Sequence, residues 1–183
     1  MTEKGYEKVT VQDILDRTET GRATFYQHFR SKEDLLDSGI KQLRVMLLQE
    51  WRSANESGRS APGRLGFTAA FFKHVDDHRS LYRSLAGREG GVVVDHKMRR
   101  MLAELVRDEL KPAKLTGQEK IAAELAVQYV VGALSSVLKW WLDYRVPLSP
   151  DEINTLFQSL TFPALDAMPG GSVLGTATGW VRY

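Results

Sequence analysis

The chain has 183 residues, enough for one large domain or two small ones, and 43% of them are hydrophobic, enough to build a core. It has no cysteine, which excludes disulfide frameworks, thiolate zinc sites and cysteine nucleophiles together. The net charge of +2 announces no nucleic-acid partner, and residues 1–60 carry 10 Lys/Arg against 10 Asp/Glu.

Apolar residues recur at three- and four-residue spacing along the whole chain, and no stretch alternates long enough to make a strand, so an all-α fold is expected. The first eight residues are polar and charged, unlike a signal peptide. Thr10-Val11-Gln12-Asp13 has the form of a capping box opening a helix that fades at Thr18-Glu19-Thr20-Gly21. A short helix follows through Phe29, and Ser31-Lys32-Glu33-Asp34 opens a long one with Leu36, Ile40, Leu43, Leu47 and Trp51 on its apolar face. Residues 57–63 read as a loop, with Pro62 placed for the first turn of the next helix. That helix carries Phe67, Phe71, Phe72 and Val75, and a shorter one runs over 79–85. Glycines in 86–91 break the chain before a helix with Met98, Met101, Leu102, Leu105 and Val106, which ends near Lys111-Pro112.

Thr116-Gly117-Gln118-Glu119 is a full capping box for the longest helix, expected to reach about Arg145 and apolar almost all round over 129–138. Its most apolar run, 125–138, contains Gln128, Ser135 and Ser136 and stops at Lys139, short of the roughly 20 apolar residues that cross a bilayer. A cytoplasmic protein without a membrane partner is the simplest reading. Ser149-Pro150-Asp151-Glu152 starts a last helix with a stripe of Ile153, Leu156, Phe157 and Leu160, expected to stop at Pro163. Three units result: a reading unit at 1–40, a helical unit at 41–167 and a flexible Gly/Thr-rich tail at 168–183.

Two short helices joined by a tight turn, with an apolar inner face and a cationic outer end, meet the requirements of a helix-turn-helix. From Gly21 to Lys32 the chain has Arg22, His28, Arg30 and Lys32 and no acid, although the N-terminal part is neutral as a whole. Gly21-Arg22-Ala23-Thr24 keeps the start of the second helix small, so its backbone can approach base edges, and Phe25 and Phe29 can anchor its inner face.

This segment resembles the DNA-binding domain of the tetracycline-repressor (TetR) family. The string Thr24-Phe25-Tyr26-Gln27-His28-Phe29-Arg30-Ser31-Lys32-Glu33-Asp34-Leu35 carries the likeness, which extends from Gly5 to about Ile40. A weaker likeness, to the last two helices of one TetR subgroup, lies in Lys139-Trp140-Trp141-Leu142-Asp143-Tyr144-Arg145 and Pro147-Leu148-Ser149-Pro150-Asp151-Glu152-Ile153. The resemblance implies that Arg22, Ala23 and Thr24 face bases, that Tyr26, His28 and Lys32 contact phosphates, and that Thr10, Gly21 and Gln27 belong to the same surface. Family members begin with a further helix that this N-terminus lacks room for, which implies a truncated domain or a start upstream of Met1, with Val11, Ile14, Phe25 and Phe29 under-covered. The turn also departs from the family's pattern: Glu19 falls where a positive φ is favoured, and Thr20 stands in place of an apolar residue.

The resemblance further implies a small-molecule effector enclosed among helices, for which Phe67, Phe71, Tyr82, Met98, Met101 and Tyr129 are candidates, each weighed against ordinary core packing. Leu134, Val137, Trp140, Trp141, Ile153, Leu156, Phe157 and Leu160 are the expected homodimer seam, since one subunit offers too few apolar faces to cover them. His74 and His78, four apart, read better as a polar helix end than as a metal pair, so no metal or cofactor is expected. No nucleophile elbow, phosphate loop or paired-carboxylate signature points to an enzyme. The reading is a repressor released from a double-stranded DNA operator by an effector; the alternative is a helical dimeric interaction protein that has lost DNA binding.

Overall fold

The computed structural model describes residues 6–56, 65–86, 91–110 and 117–168. Among them are a 3-10 turn, Tyr6–Lys8, and eight α-helices: α1 (Val11–Thr18), α2 (Arg22–His28), α3 (Lys32–Glu56), α4 (Phe67–Asp77), α5 (Arg79–Ala86), α6 (Gly91–Glu109), α7 (Gly117–Asp143) and α8 (Pro150–Asp166). The all-α expectation is met, with no strand among the described residues. The loop at 57–63 with Pro62, the glycines within 87–90, the Lys111-Pro112 stop, the Thr116 cap and residues 169–183 lie outside the described residues.

The capping signals act as their chemistry dictates. Asp13 N–H donates to Thr10 Oγ1 at 3.1 Å, and Thr10 N–H donates to Asp13 Oδ2 at 2.8 Å, closing the box at α1. Ser149 and Glu152 close the same box at α8, at 3.3 and 2.8 Å. At α3 the box shifts by one residue: Asp34 N–H donates to Ser31 Oγ, but the Asp34 carboxylate takes the N–H of Arg30. Pro163 does not end the last helix, which continues to Asp166. Proline removes one backbone donor and strains one turn, but Leu165 is fully buried just beyond it, and that burial holds the last turn in place.

α3 is a strut that runs through the expected 40/41 division without a break and packs on α4 and α6. Ion pairs Asp37–Lys97 and Arg44–Asp108 fasten it to α6, the latter at 2.5 Å. α4 packs on α8 and α6 on α7, enclosing Phe67, Phe71, Phe72, Leu102, Leu105, Leu134 and Trp141. The buried Thr68 hydroxyl lies 2.7 Å from both Leu65 O and Asn154 Oδ1, and accepts from Gln158 Nε2 at 3.2 Å, so it is satisfied at the α4–α8 seam.

The start of α4 is capped from outside its own sequence. Leu65, fully buried at φ 59, and Gly66 donate their N–H groups to Glu109 Oε2 at the end of α6. Gly66 is required there, because a Cβ would lie 1.7 Å from Trp51 Nε1. Burial pushes the Glu109 carboxyl up to about 7, against the lowering effect of the backbone N–H groups of Leu65, Phe67 and Gly66. A folded pKa above the unfolded value of 4.5 means the folded state binds the extra proton. This contribution is complete below about pH 4.5 and is lost as pH rises through about 7, a total of roughly 3 kcal/mol. Glu109→Gln keeps an amide oxygen to accept both N–H groups and cannot ionise. Thermal unfolding of both proteins from pH 5 to 8 should show the variant's relative stability growing with pH; parallel curves would contradict it.

Candidate nucleic-acid interface

α1 and α2 are joined by Glu19, Thr20 and Gly21. Glu19 is left-handed at φ 52, as its position in the turn predicts, and its N–H caps Leu15 O. A non-glycine residue there is strained by about 1–3 kcal/mol. Glu19→Gly is therefore expected to stabilise the chain by about 1 kcal/mol, raising Tm by roughly 2–4 °C. A Tm that falls would mean the Glu19 side chain makes a contact stronger than the strain.

Gly21 is the N-cap of α2 at φ −66, and a Cβ there would meet only Thr24 Oγ1, at 3.7 Å. Its own fold therefore does not demand a glycine. Phe25 is buried and packs on Phe29, ring centroids 5.6 Å apart, which turns the opposite face of α2 outward. Arg22, Ala23, Thr24, Tyr26, Gln27 and His28 are all exposed. Val9, Leu15 and Phe25 are buried and Val11, Ile14 and Phe29 half-buried, so the inner face is better covered than the short N-terminus suggested.

Arg22 is held rather than loose. Its Nη2 donates to Gln12 Oε1 at 2.7 Å, and Gln12 Nε2 donates to Asp16 Oδ1 at 2.6 Å. Gln12 is the residue that sequence reasoning missed, because no spacing rule pairs positions on two different helices. Two expected site residues are employed inside the fold. Thr10 closes the α1 cap. Lys32 donates to Tyr6 O at 3.2 Å and Val9 O at 3.0 Å and lies 4.9 Å from the Tyr6 ring centroid, which pins the segment before α1 onto α3.

The expected dimer residues divide. Leu134, Trp141, Ile153 and Phe157 are buried within the subunit, which corrects their placement in a seam between subunits. Trp141 is fully enclosed: Phe72 packs edge-on, Arg79 stacks 4.1 Å from the ring, and Nε1 donates to Leu148 O at 3.0 Å. Trp140, Leu156 and Leu160 are exposed, together with Ile121, Leu125 and Tyr129, and Val137 is half-buried. Ile121, Leu125, Tyr129 and Trp140 recur along one side of α7. α7 is long and apolar enough to cross a membrane by length and composition. Its Val127, Val130, Leu134 and Trp141 side is nevertheless taken up by the core.

Tyr82 and Met98 border two cavities. One, about 480 Å³, lies among α5, α6 and α7 and is edged by Arg99, Ser135, Ser136 and Lys139. The other, about 540 Å³, lies between the reading unit and the helices behind it. Of the remaining effector candidates, Phe67, Phe71 and Met101 are closed within the core and Tyr129 stands exposed on α7, so none of them borders either cavity. His74 and His78 stack with ring centroids 4.4 Å apart, and no metal-holding cluster of three ligands occurs among the described residues.

Comparison with known proteins agrees with this geometry. None of the curated proteins matches the chain. A TetR transcriptional regulator from Streptococcus agalactiae 2603V shares the fold, with a TM-score of 0.57 at 23% identity over 87% of this chain and 85% of that one. Residues 1–38 match the family of bacterial regulatory proteins of the tetR type, and residues 65–162 match a transcriptional regulator C-terminal region. With a helix-turn-helix at its N-terminus and a regulator's helical unit behind it, the chain belongs to the TetR family of transcriptional regulators.

Proposed function

We propose that the protein is a homodimeric repressor that grips a two-fold-related operator and is released by a small molecule. The observation that carries this reading is the exposed face of α2, where Arg22, Ala23, Thr24, Tyr26, Gln27 and His28 stand outward over a buried Phe25 anchor. An arginine such as Arg22 can grip a guanine edge, Thr24 offers a hydroxyl and a methyl, and Tyr26 and His28 would supply phosphate contacts without sequence information. Two α2 helices must sit about one DNA turn apart, roughly 34–36 Å, and a dimer through α7 and α8 would set that distance. An effector that favours another spacing lowers affinity by its differential binding to the two states.

Selection of bound fragments from genomic DNA with the full chain tests the reading. One enriched, two-fold-related motif is expected. Arg22→Ala should then weaken binding by about 1–3 kcal/mol and relax preference at one base position. Tyr26→Ala should weaken all sequences alike. No enriched motif would sink the repressor and favour a helical interaction protein of the same fold.

A further inference from the structure

The exposed face of α2 continues onto α1. Gln12 and Asp16 lie one turn apart on α1, and both are exposed. Gln12 Oε1 accepts from Arg22 Nη2 at 2.7 Å, and Gln12 Nε2 donates to Asp16 Oδ1 at 2.6 Å. We propose that Gln12, set by Asp16, is a positioning residue for base recognition: it holds the Arg22 guanidinium in the attitude in which it meets a base edge, and touches no base itself. The inference rests on the regulatory reading above and adds to it two residues of the other helix that fix its specificity.

The two hydrogen bonds have a direction. A carboxamide can present either its oxygen or its NH2 group to a neighbour, whereas an ionised carboxylate only accepts. Asp16 takes Nε2 and so turns Oε1 toward Arg22. The opposite orientation would set donors of Gln12 against donors of the guanidinium, and its oxygen against the carboxylate. Gln12 takes one N–H of the Arg22 fork, and the donors that remain can grip both acceptors of a guanine edge. A long side chain that is held before DNA arrives loses less freedom on binding. It also rewards only the base that fits the held attitude.

The place of Asp16 is the second observation. It lies in the last turn of α1, where a carboxylate faces the negative end of the helix and weakens it. It also puts negative charge beside a surface that would meet phosphates. Neither the stability of α1 nor attraction to DNA favours an acid there; orienting Gln12 gives it a role.

The test uses the full chain and two readouts. Without DNA, nitrogen relaxation of the Arg22 Nε–H group should show an ordered side chain in the wild type and a mobile one in Gln12→Ala and Asp16→Ala. With duplexes of random sequence, Gln12→Ala should lose preference at the same base position as Arg22→Ala, by about three- to tenfold, the ordering cost of one long side chain. Its Tm and the salt dependence of its binding should match the wild type, since no phosphate contact is lost. In an Arg22→Ala background, Gln12→Ala should change nothing further. Asp16→Ala should lose the same preference with no fall in Tm. Adding Gln12→Glu to Asp16→Ala should restore both the ordered Arg22 and the preference, because a carboxylate presents an oxygen from either end and the net charge returns to that of the wild type. A mobile Arg22 in the wild type, a loss at a different base position, a further loss in the Arg22→Ala background, or no rescue by the glutamate would each overturn the proposal. No motif enriched by the wild type would sink the regulatory reading and this role with it. A motif that Gln12→Ala leaves unchanged would sink this role alone.

Discussion

Leu160→Glu is expected to convert a dimer into monomers and to lower operator affinity at least a hundredfold, with the α2 surface untouched. Leu160 is 73% exposed on α8, and Leu156 one turn earlier is 50% exposed. Beside them, α7 leaves Ile121, Leu125, Tyr129 and Trp140 uncovered. Large apolar side chains repeated along two neighbouring helices form a patch that a monomer rarely tolerates. A two-fold interface repeats every substitution, so one glutamate places two unpaired charges in an apolar seam. Operator binding should fall with it, because each half-site alone gains only its own share of phosphate and base contacts. Phe157, by contrast, is buried within the subunit, so a charge there would report on folding instead. Sedimentation at micromolar concentration decides the matter. A monomeric wild type that still binds operator would refute both the seam and the spacing mechanism.

The neighbouring tryptophans should respond in opposite ways. Trp141 is 0% exposed and Trp140 46% exposed. Trp141→Ala removes a closed indole, its hydrogen bond to Leu148 O and the surface on which Arg79 stacks, and should destabilise by about 3–5 kcal/mol at every protein concentration. Trp140→Ala should leave the isolated subunit within about 0.5 kcal/mol. Its effect should be on association, so its Tm deficit should be largest where the wild type is dimeric and should vanish on dilution. Thermal unfolding at two concentrations a hundredfold apart checks both. Equal, concentration-independent losses would show that Trp140 is part of the subunit's own core.

What was legible in the sequence is what depends on neighbours along the chain. Thr10 with Asp13 and Ser149 with Glu152 close their caps because both partners lie within one turn. Glu19 takes its left-handed φ as the C-cap of α1, where its N–H closes on Leu15 O a turn earlier. Phe25 and Phe29 meet because they are one helical turn apart. The string around them carries the family likeness, and the match over residues 1–38 agrees with it. Periodicity could not say which side of an all-round apolar helix faces inward. Trp140 and Trp141 are equally apolar; only the placement of Phe72, Arg79 and Leu148 decides that one is core and the other surface. Arg22 on Gln12, Lys32 on the carbonyls of Tyr6 and Val9, and Glu109 on the start of α4 are likewise tertiary facts. Lys32 and Glu109 meet backbone groups, which are present at every position, and Arg22 meets a glutamine on another helix, so no residue pattern marks the partner.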